Sequence, residues 1–339
     1  DRIVCEGEGY GGDLRGAAEL AAGRRPFLDL YAVTHHGEVP AAKLFWPVNI
    51  MPRTAVVWLD RALVEGRIVD GRVAVRGDLA DWPFHNLAGR FIARAEVDDA
   101  TLDYHPAWPR AQDLHAVAYF INDGMQADAS AASALGNTVQ AASATIPTFR
   151  DAVLDLTVKG GGSASGLLGF LRATPVGRRW AEPLRELALD GRGAVEFNLK
   201  LPLDDVDQLA LDGKVQLQAR SLDQARYGQH FTDVSGLLQF SAQGLAAHGL
   251  AVTYRDRPAL LSIDIGNSVS DPAHACEAQL DGIYTPAQVF ADASVLAPLV
   301  AQLQGDSACT ARVAVARPED AATPVRLTLA SDLVGTAID

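Results

Sequence analysis

The sequence has few cysteines, no excess of positive charge and no long apolar run, and each absence excludes a class of protein. Its 339 residues include three cysteines, too few for a disulfide framework or a cysteine-rich metal site. Its formal net charge is -13, which repels the phosphates of nucleic acids and of anionic lipid headgroups. No stretch reaches the ~18 consecutive apolar residues of a membrane-spanning helix. We therefore expect no nucleic-acid partner, and a membrane contact only through parts of the protein outside this sequence.

Motifs of catalysis and metal binding are also missing. The histidines have no metal-ligand spacing, and no nucleophile elbow, Walker loop or His-Glu-x-x-His sequence occurs. Residues 7–12 match Gly-x-Gly-x-x-Gly, the glycine pattern of dinucleotide-binding folds. The alternating strands and helices of such a fold do not follow, so we interpret these glycines as a turn. We predict that the protein is not an enzyme and has no cofactor and no metal site.

Most of the chain alternates apolar and polar residues, which is the pattern of strands with one solvated face. Phe197 and Leu199, for example, alternate with Asn198 and Lys200. Such strands belong to antiparallel sheets, because one face can pack while the other meets water. The sequence therefore predicts a mainly β fold.

Helices are few. Start signals predict one helix from Pro52 to Gly66 and another from Thr285 toward Gly305, the second opened by a capping box. Shorter helical pieces are predicted over residues 13–22, 166–172 and part of 178–187.

Turn signals separate the predicted strands. Leu-Asp-Gly occurs at residues 189–191, 211–213 and 280–282, and each copy predicts a tight hairpin corner.

The best linker candidate is residues 163–166, yet strand patterns continue on both sides of it. We therefore expect residues 1–339 to form one continuous segment, with a possible division near 160–166.

Two cysteines, Cys276 and Cys309, each begin an alternating run on either side of the helix predicted at Thr285. If their strands are neighbours, the two thiols could form one disulfide, which would suit an oxidising compartment. Two small buried thiols are the alternative.

Several longer motifs point to a known family. Residues 58–63 read Trp-Leu-Asp-Arg-Ala-Leu, residues 77–84 read Gly-Asp-Leu-Ala-Asp-Trp-Pro-Phe, and Trp108-Pro109 follows. Leu201-Pro202-Leu203 and the helix at Thr285 continue the pattern, which ends with Ser-Asp-Leu-Val-Gly near the last residues. Over nearly its whole length the chain resembles the large YhdP-type proteins of the AsmA-like family.

The resemblance implies an elongated, curled antiparallel β-sheet that forms an apolar groove. It also implies an inner-membrane-anchored, mostly periplasmic protein of the cell envelope that carries phospholipid between the inner and outer membranes of a diderm bacterium. Since the chain begins at Asp1 without a Met, we expect it to be a segment of that larger protein. We expect a monomer whose partner is phospholipid or another acyl-chain lipid.

The apolar phase of each strand gives the side chains expected to line such a groove. They are Val73, Val75, Phe91, Val97, Leu154, Leu156, Val158, Phe197, Leu199, Val215, Leu217, Leu261, Ile263 and Ile265. A structural or interaction module without lipid cargo, either a closed sandwich or a β-solenoid, explains the alternation equally well.

Overall fold

The structure is a computed structural model that describes residues 2–20, 25–46, 48, 51, 53–291, 293–317 and 325–338. The chain divides into two compact units. The first unit comprises Asp1–Gly161 and Glu196–Leu211, and the second comprises Gly162–Val195 and Asp212–Asp339. The boundary after Gly161 lies within the range 160–166. That the chain acts as one continuous segment remains a prediction.

The first unit is an antiparallel meander in which each strand pairs with the next one along the chain. Its strands are β1 (Arg2–Gly7), β2 (Tyr10–Glu19), β3 (Phe27–Glu38), β4 (Leu63–Asp78), β5 (Arg90–Leu102), β6 (Ala111–Ile121), β7 (Gly124–Ala134), β8 (Asn137–Ile146) and β9 (Val153–Ser163). Strand β10 (Leu187–Pro202) contributes its residues from Glu196 onward to this unit.

The second unit is also antiparallel, and its long strands again pair in chain order. They are β11 (Ala210–Gln224), β12 (Gln229–Ser241), β13 (Gly244–Tyr254), β14 (Arg257–Gly266) and β15 (His274–Tyr284), followed after the short β16 (Leu303–Gly305) by β17 (Ser307–Ala316) and β18 (Val325–Ser331). Strand β16 pairs with β19 (Thr336–Ile338) in a separate two-stranded ladder.

The helices of the described residues are short. They are α1 (Arg53–Ala62), α2 (Ala164–Ala173), α3 (Pro175–Arg179), α4 (Ala181–Leu184), α5 (Pro286–Val289) and α6 (Ala297–Val300). Brief 3-10 turns occupy Val39–Phe45, Leu79–Asp81, Val206–Gln208, Ala225–Tyr227 and Ser294–Leu296. In the described ranges, no helix combines the length and apolarity needed to cross a membrane. The prediction of a mainly β, antiparallel fold with a few short helices is confirmed.

The start of the helix predicted at Thr285 is confirmed, but the predicted lengths of the two longer helices are wrong. Helix α1 ends at Ala62, four residues before the predicted Gly66, and β4 begins at the next residue. Pro52, the predicted start of the helix, lies outside the described residues. The capping box at Thr285 is present: its Oγ1 accepts from the Gln288 amide at 3.2 Å, and the Gln288 side chain accepts from the Thr285 amide at 3.1 Å.

A single helix from Thr285 to Gly305 is nevertheless wrong. Helix α5 ends at Val289, and Phe290 leaves helical geometry with φ -104 and ψ 21. Pro298 then lies in the first turn of the separate helix α6, where its missing N–H is tolerated. The helix predicted over 166–172 lies within α2, and the helical piece predicted for part of 178–187 comprises the end of α3 and all of α4.

The helix predicted over residues 13–22 is wrong, because residues 10–19 form strand β2. Its alanines favour a helix locally, but pairing with β1 and β3 on both sides overrides that preference. The glycine pattern at 7–12 contains the turn between β1 and β2, formed by Glu8 and Gly9, with Gly7 paired to Tyr10.

The three Leu-Asp-Gly sequences are not hairpin corners, since all three lie inside strands β10, β11 and β15. In β15, Asp281 accepts hydrogen bonds from Thr310 at 2.6 Å and from Gln279 at 2.7 Å. The Asp281 carboxylate thus has hydrogen-bond donors within the sheet, whereas in a hairpin turn an aspartate accepts from nearby backbone amides. A reversal occurs instead at Arg255 and Asp256, which both have positive φ between β13 and β14.

Candidate functional site

The cross-strand pairs of the first unit assemble one apolar face. Directly paired residues of an antiparallel ladder point to the same side of the sheet. Pairing from β4 toward β9 gives three adjacent rows: Val73–Ala93–Phe120–Met125–Ile146, Gly71–Ala95–Ala118–Ala127–Ala144–Leu156, and Ile68–Val97–Ala116–Ala129–Ala142–Val158. These rows, together with the residues that continue their phase along each strand, are the first apolar face.

The opposite side of the same strands is charged and polar. Its rows are Arg72–Arg94–Tyr119–Gln126–Thr145–Asp155 and Asp70–Glu96–Val117–Asp128–Ser143–Thr157. Arg94 donates to Glu96 at 2.8 Å and also pairs with Asp70, and the hydrogen bond to Glu96 raises the pKa of Arg94 above its usual value. This side is the first polar face, so the sheet separates apolar from ionic side chains.

The predicted lining residues of the first unit all belong to its apolar face. Val73, Val75, Phe91 and Val97 share it on β4 and β5, and Leu154, Leu156 and Val158 share it on β9. The polar side chains of β9 contact those of β10. The Lys159 ammonium lies 2.9 Å from the Glu196 carboxylate, and the Thr157 hydroxyl donates to Asn198 at 3.0 Å. Phe197 and Leu199 alternate with those polar residues and therefore point to the apolar side.

The first apolar face is only partly covered. Val73 is 37% exposed, and most other side chains of the three rows are half-buried. In the described part of the chain, the large cluster of contacting buried hydrophobic residues lies wholly in the second unit. The first apolar face thus remains accessible, although its composition suits burial.

The second unit has an apolar face of the same construction. Its rows are Val215–Leu238–Ala247–Ile263–Ala278–Val313–Leu327, Leu250–Leu261–Leu280–Ala311–Leu329 and Phe240–Leu245–Ile265–Cys276–Val315–Val325. The predicted residues Val215, Ile263, Leu261 and Ile265 lie in these rows, and Leu217 continues the phase of Val215. These residues form the second apolar face.

The second apolar face differs from the first because its centre is packed. Leu217 and Leu261 are each only 4% exposed, and Leu250 is 1% exposed. They belong to one cluster with further strand residues and with Ala164 of helix α2. The alternation of apolar and polar residues predicted both apolar faces. It did not predict that the second face is packed at its centre while the first is accessible.

Of the two alternatives for Cys276 and Cys309, the structure excludes the disulfide. Their strands are neighbours, but Cys276 pairs with Val315, whereas Cys309 pairs with Gly282, six residues farther along β15. That offset is roughly 20 Å along a strand, far beyond the Cα separation that a disulfide spans. Both thiols are free, and burial raises the pKa of Cys276 to about 12, which makes it a poor nucleophile.

One group in the described residues has potential metal ligands, and sequence spacing missed it. Asp98, Asp99 and His115 come together across β5 and β6. Arg67 already binds both carboxylates, at 2.5 Å to Asp98 and 2.9 Å to Asp99, and His115 pairs with Asp98. The arrangement is therefore an ion-pair network on the sheet surface, in which Arg67 already neutralises part of the negative charge.

The comparisons with known proteins agree with the resemblance seen in the motifs. No solved structure matches the chain. The chain is similar to the intermembrane phospholipid transporter YhdP of Escherichia coli (strain K12), with 24% identity over 315 residues that cover 92% of the chain and 24% of that protein. The chain thus spans about a quarter of this relative's length. The sequence model of the YhdP family matches residues 11–339, and the chain belongs to that family.

Proposed function

We propose that this chain is a non-catalytic, lipid-binding segment of a periplasmic, bridge-like protein that carries phospholipid between the inner and outer membranes. The observation that carries the proposal is the accessible first apolar face, backed by a charged face on the same strands. The name of the Escherichia coli relative, an intermembrane phospholipid transporter, supports the choice of cargo.

The composition of the first apolar face suits acyl chains that must move. Its three rows offer alanine, valine, leucine, isoleucine, phenylalanine and methionine, with no side-chain hydrogen-bond donor that would hold a lipid in one place. Each methylene that leaves water for such a surface contributes about 0.8 kcal/mol. Because contacts between apolar groups are non-directional, a chain can slide from one row to the next at little cost.

The headgroup has no partner in this arrangement and stays in water. The charged residues lie on the opposite side of the sheet, and the net charge of -13 disfavours capture of an anionic headgroup. Attachment to the inner membrane belongs to other parts of the protein, and the segment works as a monomer. No cofactor takes part in this proposal.

A structural role is the second candidate, and the second unit favours it. Its apolar face is packed at the centre, as expected for a module that buries its own hydrophobic side chains. In this view the second unit stabilises the segment, and the lipid surface is the first apolar face.

One pair of matched substitutions tests the proposal. Val97→Asp places a carboxylate in the middle of the first apolar face, where no cation lies in its row. Val33→Asp places the same group on the first polar face, opposite Arg72 and Asp13. Since a charge has no partner among acyl chains, Val97→Asp should abolish delivery of labelled phospholipid to the outer membrane, and Val33→Asp should preserve it.

Circular dichroism is the control for this pair, because both variants should keep the β spectrum of the parent protein. Equal delivery by the two variants would contradict the proposal. Unfolding of Val97→Asp alone would instead favour a closed structural core in the first unit.

A further inference from the structure

Helices α2, α3 and α4 form a helical insert, residues 164–184, between β9 and β10 in the second unit. Four apolar side chains of the insert, Leu168, Val176, Trp180 and Leu184, are buried and at most 7% exposed. Arg172, near the end of α2, donates to the carbonyls of Leu184 at the end of α4 and of Leu187 at the start of β10, both at 2.6 Å. These hydrogen bonds link the first helix of the insert to its last helix and to the following strand.

Helix α2 lies directly on the second apolar face. Ala164 belongs to the buried cluster of that face. A Cβ added to Gly193 of β10 would lie 2.7 Å from Cδ1 of Leu167 and 3.2 Å from Cγ1 of Val215. A side chain at residue 193 would therefore clash with Leu167, and glycine leaves the space that Leu167 occupies beside Val215. At Val215, then, Leu167 occupies the position that an acyl chain would need.

The contacts between α2 and the face are of a kind that lipid can replace. Ala164 and Leu167 bring only apolar atoms to the face, while Arg172 donates hydrogen bonds to Leu184 within the insert and to Leu187 of β10. If the insert moves away, the uncovered apolar surface is costly in water, but an arriving acyl chain covers it again.

We propose that the helical insert is a displaceable cap, and that acyl chains cross the second apolar face only when α2 leaves Val215. This inference rests on the proposed function, because it assigns a regulatory element to the same lipid path. The first apolar face, which is accessible, would hold lipid whether the cap is closed or open.

The test locks the cap in the full-length protein. Leu167→Cys and Val215→Cys are introduced together in a background without native cysteines, which in this segment replaces Cys5, Cys276 and Cys309 by Ser. A short, reducible, bifunctional thiol cross-linker joins the two positions, whose parent side chains meet at Gly193. Leu167→Cys alone, treated identically, is the matched control.

The expected result is that delivery of labelled phospholipid falls in proportion to the cross-linked fraction, and that a reductant restores it. The control should be unaffected by the same treatment. Unchanged delivery by fully cross-linked protein would overturn the cap. A photo-crosslinker at Phe120, on the first apolar face, separates this failure from that of the proposed function. Lipid capture there in both states leaves the proposed function standing, whereas no capture even in the unlocked protein overturns both.

Discussion

At the scale of single residues, equivalent positions on the two apolar faces should respond differently to a charge. Leu217 is 4% exposed within a packed cluster, whereas Val97 is half-buried on an accessible face. An ionised carboxylate enclosed without a partner costs several kcal/mol, and one that water can reach costs much less. The covering of a side chain, and not its phase in the strand, therefore decides what the substitution does.

We predict that Leu217→Asp lowers the free energy of unfolding by at least about 3 kcal/mol, because it leaves a charge in the core of the second unit. Val97→Asp should lower it by less than half as much. Denaturant titration of both variants, monitored by circular dichroism, measures the difference between their free energies of unfolding. Equal losses would show that the two faces are covered to the same extent.

Residue patterns in the sequence identified the strand phases well and the long-range contacts poorly. Alternation alone placed all the predicted lining residues on the apolar sides of their strands, because the side-chain period of a strand is local. It could not place Cys276 and Cys309, whose offset depends on the register between β15 and β17. Nor could it show that Gly193 makes room for Leu167, since these residues are brought together only by the fold.

At the scale of elements, one carboxylate fixes the connection between β14 and β15. Glu277 accepts from the amide and hydroxyl of Ser270 at 2.9 and 2.7 Å, from the amide of Asp271 at 3.1 Å, and pairs with His274 at 2.7 Å. Partial burial opposes ionisation, but the hydrogen bonds from His274, Ser270 and Asp271 outweigh it and lower the pKa of Glu277 to about 2.

This pKa makes the contribution of Glu277 to stability dependent on pH. Because the folded-state pKa lies below the ~4.3 of an unfolded glutamate, the contribution is present above that pH and is lost as the pH falls toward 2. We predict that Glu277→Gln is less stable than the parent protein at pH 7 and that the two converge near pH 2. Thermal unfolding across this range measures it, and a constant difference at every pH would contradict the assignment.

Elements with strong local signals were predictable, and elements decided by neighbours were not. The capping box at Thr285 gave the start of α5, because the cap is a contact between near residues. Strand β2 was misread as a helix, because its conformation depends on pairing with β1 and β3. The Leu-Asp-Gly sequences failed for the same reason, as their aspartates have partners on adjacent strands.

At the scale of the whole molecule, we propose different roles for two units built on the same plan. Both are antiparallel sheets with one apolar side, as the alternation predicted. The first leaves that side accessible, and the second packs it and adds a helical insert. Neither property is visible in a hydropathy pattern, because covering depends on which segments dock on a face after it has formed.

The central claim is that acyl chains contact the first apolar face. The neighbouring aromatic residues Phe120 and Tyr119 of β6 test it most directly, because they have similar size and point to opposite sides of the sheet. A photo-reactive phenylalanine analogue replaces each in turn in the full-length protein in cells, and the cross-linked products are analysed for phospholipid. We predict phospholipid adducts at Phe120 and none at Tyr119. Equal labelling at both positions, or no labelling at Phe120, would contradict the proposed contact.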